Sequence, residues 1–227
     1  MTGDRGRTPL ILAAKTGDVR TVEVLINNKS NVNAVDDIGM SALHEAVCNK
    51  FPAVLAQLIN SNARVNLPDI SGSTGLIYAA EQGELHCVKM LLESQANVNY
   101  VNEYGRTALM LAAANGHKDV VEILLELTEN INQNDRTGKS ALHLSAFYGR
   151  YEVLKSLILK GADIHMCDRQ GNASIYYAFI NRHFKCCRYL IQHGGNLDKI
   201  AERMELPKQL IANEIYSTDD SSRGSLS

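Results

Sequence analysis

The chain contains no tryptophan, only four prolines and 6% aromatic residues. Sandwiches and barrels draw on aromatic strands and turn prolines, so this poverty points to a helix-rich fold. No stretch approaches the roughly 18 consecutive apolar residues that a membrane-spanning helix needs. The start, MTGDRGRTPL, carries no apolar core of a secretory signal. A net charge of −2 over 227 residues gives no whole-chain attraction to nucleic acid or to acidic membranes. The five cysteines, Cys48, Cys87, Cys167, Cys186 and Cys187, are odd in number and unevenly spaced, which argues against a disulfide framework. Metalloprotease, paired-cysteine and Walker patterns are all missing. The expectation is a soluble, cytoplasmic or also nuclear protein with no membrane insertion, no nucleic-acid partner, no metal, no cofactor and no catalytic residues.

What is present is a period. Gly6, Gly39, Gly72, Gly105, Gly138 and Gly171 follow one another at one constant interval, without insertion or deletion. Four residues on stand Leu10, Leu43, Leu76, Leu109, Leu142 and Ile175; seven on, Ala13, Ala46, Ala79, Ala112, Ser145 and Ala178. Nineteen on there is always leucine: Leu25, Leu58, Leu91, Leu124, Leu157 and Leu190. Thr8, Ser41, Thr74, Thr107 and Ser140 sit where a hydroxyl caps a first helix. Gly17, Gly83, Gly116 and Gly149 suit a left-handed turn before a second helix, exemplified by Val120, Val121, Leu124 and Leu125 at helical spacing. The Gly- and Ser-rich stretch ISGSTG before Leu76 is thus the third copy of a turn rather than a phosphate cradle.

GRTPLILAA, GKSALHLSA and segments such as GADIHMCD resemble the ankyrin repeat, whose unit of a turn and two helices recurs about every 33 residues. The resemblance covers residues 3–200 and implies an all-α solenoid of stacked helix-turn-helix units with β-hairpin fingers. The units fall at about 3–35, 36–68, 69–101, 102–134, 135–167 and 168–200. Beyond them, 201–215 reads as a capping helix in which Pro207 shares the offset of Pro9, a degenerate seventh first helix. Residues 216–227 read as a disordered Ser- and Asp-rich tail, with STDD at Ser217–Asp220 resembling an acid-directed kinase site. Repeat one starts without an obvious polar cap, which leaves open a longer parent protein or a tolerated exposed end.

The resemblance also implies a function: a non-catalytic adaptor or scaffold module, monomeric, that seats a protein segment in the concave groove made by finger tips and first helices. By offset, the groove takes the two residues before each repeat glycine, the one after it, and those nine and ten after it. Within that set, Ile38, Met40, Tyr104, Phe147 and Tyr148 are apolar where water is expected, and Arg106, Arg136, Lys139 and Arg169 make repeats four to six basic. Asp37, Glu81 and Glu103 lie in repeats two to four. The partner expected from this is an acidic, partly apolar peptide segment. The alternative is a sensor domain of a larger enzyme or channel that binds a small anionic ligand. The family's hydroxylatable asparagine position is filled by Asn33, Asn66, Asn99 and Asn132, which can equally tie down their fingers by hydrogen bonds. His44 with His143, His117 with His183, and Cys87, Cys186 and Cys187 fall at recurring offsets and read as architecture. Gly75 stands in the first turn of a helix, where alanine or proline is expected to raise stability without touching binding.

Overall fold

The computed structural model describes residues 6–217 and contains 14 helices among them. They come in pairs: α1 (Pro9–Thr16) with α2 (Val19–Asn27), α3 (Ala42–Cys48) with α4 (Pro52–Asn60), and α5 (Gly75–Gln82) with α6 (Leu85–Glu93). The pairs continue as α7 (Ala108–Asn115) with α8 (Lys118–Leu127), α9 (Ala141–Phe147) with α10 (Tyr151–Leu159), and α11 (Ser174–Ile180) with α12 (Phe184–Gln192). First helices pack on first helices and second on second, so two parallel rows run the length of the stack. Short helices of this size are marginal alone, and the rows supply the burial that holds them. The periodic residues form that core: Leu10, Leu43, Leu76, Leu109, Leu142 and Ile175 are at most 3% exposed, and Leu58, Leu91, Leu124, Leu157 and Leu190 are fully buried.

The cap hydroxyls work in most repeats. Thr8, Ser41 and Thr107 accept from the backbone N–H groups of Ile11, His44 and Met110 at 3.3, 3.4 and 3.3 Å. Ser41 and Ser140 also meet His44 and His143, Oγ to Nδ1 2.9 Å in each, so the histidine closes the first turn on itself. Thr74 has the extended backbone of a cap, but its hydroxyl makes no cap bond. The turn between paired helices is left-handed at Gly17, Gly83, Gly116 and Gly149, and equally at Lys50 and Arg182. Between pairs the chain crosses to a finger, closed in three repeats by isolated antiparallel bridges, Val35 to Ser41, Asn134 to Ser140 and Cys167 to Ala173.

The C-terminal segment departs from the single capping helix read over 201–215. It is two helices, α13 (Asp198–Met204) and α14 (Lys208–Ser217), broken at Glu205 in left-handed conformation before Pro207. α13 packs on α11 and α14 on α12. The segment after Pro207 therefore extends the second row instead of supplying a seventh first helix. The cause is the missing finger: after Gly194 and Gly195 the chain turns directly into α13, so the helix that follows is out of register with the repeats. The tail expected over 216–227 begins inside α14, and residues 218–227, with most of the STDD pattern, lie outside the described residues.

Gly75 also behaves differently from its register. A Cβ there would lie 2.5 Å from Cδ2 of Leu43, a core side chain only 2% exposed. Leu43 has settled into the space that the glycine leaves, and an alanine must push it back. We expect Gly75→Ala alone to leave the denaturation midpoint unchanged or lower, and to raise it in a Leu43→Val background. A double-mutant cycle by urea titration should give a favourable coupling of about 1 kcal/mol.

Candidate functional site

The fingers of repeats two to six are each built around one acid or amide three residues before the repeat glycine. Oδ1 of Asp36 accepts from the N–H of Ile38 and Met40 at 3.1 and 2.8 Å. Asp69 does the same for Ser71 and Ser73, Asn102 for Tyr104 and Arg106, Asp135 for Thr137 and Lys139, and Asp168 for Gln170 and Asn172, all at 2.8–3.0 Å. This local side-chain to backbone closure is why the fingers hold shape without a sheet.

The second carboxylate oxygen decides which groove side chains are free. Asp36 faces Arg7 and Asp135 faces Arg106, each at 3.4 Å. Where the preceding repeat has no arginine to offer, a tyrosine of the same repeat replaces it: Tyr78 donates to Asp69 at 2.5 Å and Tyr177 donates to Asp168. Burial alone would raise the Asp69, Asp135 and Asp168 carboxyls, but their hydrogen bonds outweigh it and hold all three below the usual range. Burial, reinforced by the carboxylate, pushes Tyr177 up to about 12. Asn102, which carries no charge, follows Ser73 rather than an arginine.

Arg106 is thus an anchor of the next finger as well as a groove cation, and its guanidinium also lies 6.0 Å from the Tyr104 ring centre. The Lys139 ammonium sits 5.0 Å from the Tyr177 ring centre. Arg136 and Arg169 are exposed and make no ion pair with the described residues. Tyr104 is 61% exposed, Tyr148 48% and Ile38 37%; Met40 and Phe147 are half-buried. The Phe147 ring lies 4.9 Å from that of Tyr148 and 5.7 Å from that of Tyr177. Two further apolar residues that the groove offsets include are exposed as well, Ile70 to 64% and Ile180 to 40%. Sequence reasoning misses the acids at the base of the fingers and the part played by Tyr78 and Tyr177, because their roles depend on contacts between a finger and a helix.

Successive fingers are linked by one backbone bond each. Ile70 donates to the carbonyl of Ile38 at 3.1 Å, Glu103 to Ser71 at 2.9 Å, Arg136 to Tyr104 at 2.9 Å and Arg169 to Thr137 at 3.1 Å. The tips form a continuous ladder with one rung per repeat.

At the other edge the asparagines tie repeat to repeat. The side-chain oxygens of Asn33, Asn66 and Asn132 accept from the N–H of Arg64, Asn97 and Asp163 at 2.7, 2.7 and 2.8 Å. Asn99 makes no such tie. Its neighbour α8 ends in Thr128 with extended backbone, where the other second helices are followed by a left-handed residue, so no N–H is presented to it.

Buried thiols account for most of the cysteines: burial pushes Cys48 and Cys187 up to about 12 and Cys186 to about 11, and Cys87 is raised for the same reason. Cys167, half-buried in the last finger, has the Lys199 ammonium 3.3 Å away. No helix among the described residues is long and apolar enough to cross a membrane.

Stacked helix pairs with left-handed inter-helix turns and acid-closed fingers define the class. The profile of the ankyrin-repeat family, described as three copies of the repeat, matches residues 1–69, 49–135 and 127–201, and the chain belongs to that family. A solved structure titled as the human ASB11 ankyrin repeat domain superposes with a TM-score of 0.77 at 29% identity, covering 84% of this chain and 86% of that one. Neurogenic locus notch homolog protein 1 of Homo sapiens and of Mus musculus share 58% identity with this chain over 41 residues. That match is 18% of this chain and only 2% of the length of those relatives. Ankyrin repeats are in general protein–protein interaction modules, which sets the coarse function of the stack.

Proposed function

We propose that this chain is a non-catalytic adaptor module that seats an acidic, partly apolar segment of a protein partner against repeats four to six. The supporting observation is the juxtaposition of exposed aromatic rings, Tyr104 and Tyr148, with Arg136 and Arg169 on neighbouring fingers, cations that have no ion-pair partner among the described residues. Half-exposed tyrosines next to unneutralised arginines are the composition that interfaces favour and solvated surfaces do not. Lys139 and Arg106 sit in the same stretch with part of their charge already engaged, so they shape the groove more than they supply net charge. Ile38 and Met40 extend its apolar floor toward repeat two. Such a module works as a monomer in the cytoplasm or nucleus.

The test is affinity capture with quantitative mass spectrometry. Partners enriched by the native stack should fall at least tenfold with Tyr104→Ala plus Tyr148→Ala, at unchanged melting temperature. Equal recovery by both would overturn the reading.

The finger asparagines differ as substrates for an asparaginyl hydroxylase. Asn33, Asn66 and Asn132 are tied through their amides, whereas Asn99 lacks that tie, so Asn99 is the acceptor we propose. Peptide mapping of protein from animal cells should find an added oxygen at Asn99 before the other three.

A further inference from the structure

We infer that the finger ladder reads a bipolar, extended polypeptide segment, basic at one end and acidic at the other; this deepens the groove reading and rests on it. One offset carries the observation. In repeats three to six the residue two before the repeat glycine is the one whose N–H makes the inter-finger bond, so its side chain stands at the same rung in each, and Asp37 holds the same offset in repeat two. Along repeats two to six these residues are Asp37, Ile70, Glu103, Arg136 and Arg169, all exposed. The order is acid, apolar, acid, base, base. Glu103 and Glu81 have no ion-pair partner among the described residues, and neither have Arg136 and Arg169, so the charge reversal is not neutralised within the stack.

A second observation shows that the acidic half is a field and not two isolated side chains. The thiol of Cys48, on the groove side of repeat two, is raised by burial and then further by Glu45, Asp69 and Glu81. At the other half, the exposed Arg136 and Arg169 are joined by Lys139 of repeat five, which no carboxylate among the described residues neutralises. Negative potential at repeats two to three and positive potential at five to six act together on one ligand.

Geometry sets the partner's spacing. Packed helices lie about 8–10 Å apart, and a chain extended as polyproline II rises about 3.1 Å per residue with three residues per turn, so one rung corresponds to one turn and every third side chain returns to the same face. The fitting segment has basic, apolar, basic, acidic and acidic side chains at every third position, running over about 13 residues. Charge complementarity fixes this order relative to the stack and leaves the chain direction to the partner.

The probes are three fluorescein-labelled peptides of that length and of one composition, with serine spacers and the chosen residue at every third position. One runs lysine, leucine, lysine, glutamate, glutamate; the second runs in reverse; the third alternates the charges. Fluorescence anisotropy at low salt should show one ordered peptide binding the native chain at least tenfold more tightly than the alternating one. In the variant Arg136→Glu, Arg169→Glu, which makes every charged rung acidic, with a native melting curve, the advantage of the ordered peptide over the alternating one should be lost. Absence of binding, equal binding of all three peptides, or an unchanged preference in the variant would overturn the inference. The capture experiment with Tyr104 and Tyr148 does not depend on charge order, so failure of the ladder and failure of the groove reading give different results.

Discussion

Gly83→Ala is expected to lower the free energy of unfolding by about 2–4 kcal/mol, far more than a surface glycine should. Two effects combine. Gly83 has φ +72, a conformation that costs an L-residue about 1–2 kcal/mol. Its Cβ would also lie 2.6 and 2.7 Å from Cε1 and Cγ of His117, whose Nε2 is 2.9 Å from the Glu81 carbonyl oxygen. The imidazole is pinned over the turn and has nowhere to retreat without losing that bond. The same stacking places Phe51 over Gly17, Arg150 over Gly116 and His183 over Gly149, with the Arg150 and His183 side chains also bonded to carbonyls of Ala114 and Phe147. The exception explains the rule. At Lys50 the turn has a side chain, and the next repeat brings Glu84 in place of a ring, its carboxylate 2.7 Å from the Lys50 ammonium. A Gly83→Lys, His117→Glu double variant should therefore recover most of what Gly83→Lys alone loses. Urea unfolding of the two singles and the double checks this. Additive losses would show that the φ angle alone governs the site.

That pairing shows where the sequence is legible and where it stops. The constant repeat interval, the core leucines and the left-handed turns follow from residues within one repeat, and a single chain displays six copies of them. The Gly83–His117 relation links one repeat to the next and becomes visible only when residues that face each other across repeats are compared. The groove suffered in the same way. Arg106 stands at an exposed offset by its own repeat, yet Asp135 of the following finger claims its guanidinium. Arg136 and Arg169, at a different offset, make no ion pair with the described residues. Aspartate or asparagine three residues before the glycine of repeats two to six was present in the sequence all along; its role emerged once the finger N–H groups were seen to point at it. The C-terminal pair escaped for the opposite reason. Its residues keep the repeat's proline offset, but without a finger the offset no longer means the same helix.

Mild acid should weaken the stack well before its carboxylates titrate. His44 and His143 are fully buried, and burial lowers the pKa of both below the ordinary histidine value. Nearby charges adjust the size of the effect: Asp69 and Asp36 oppose it at His44, and Asp168 opposes while Lys139 assists it at His143. The unfolded chain takes up protons at these sites from about pH 6.5 downward, while the folded chain does not until lower pH. The folded state is therefore fully favoured above pH 6.5 and loses stability as pH falls toward the depressed folded values, at most about 1.4 kcal/mol per pH unit for each histidine. Asp69, Asp135 and Asp168 have folded values below normal, so their contribution is present above about pH 4 and is lost only beneath it. Two steps should thus appear in a plot of unfolding free energy against pH. Replacing both histidines by glutamine, which keeps a side-chain acceptor near the cap hydroxyl, should flatten the step that sets in below about pH 6.5 and leave the lower one. If the double variant keeps the upper step, some other group titrates there, and the buried rings are not what makes the stack acid-sensitive.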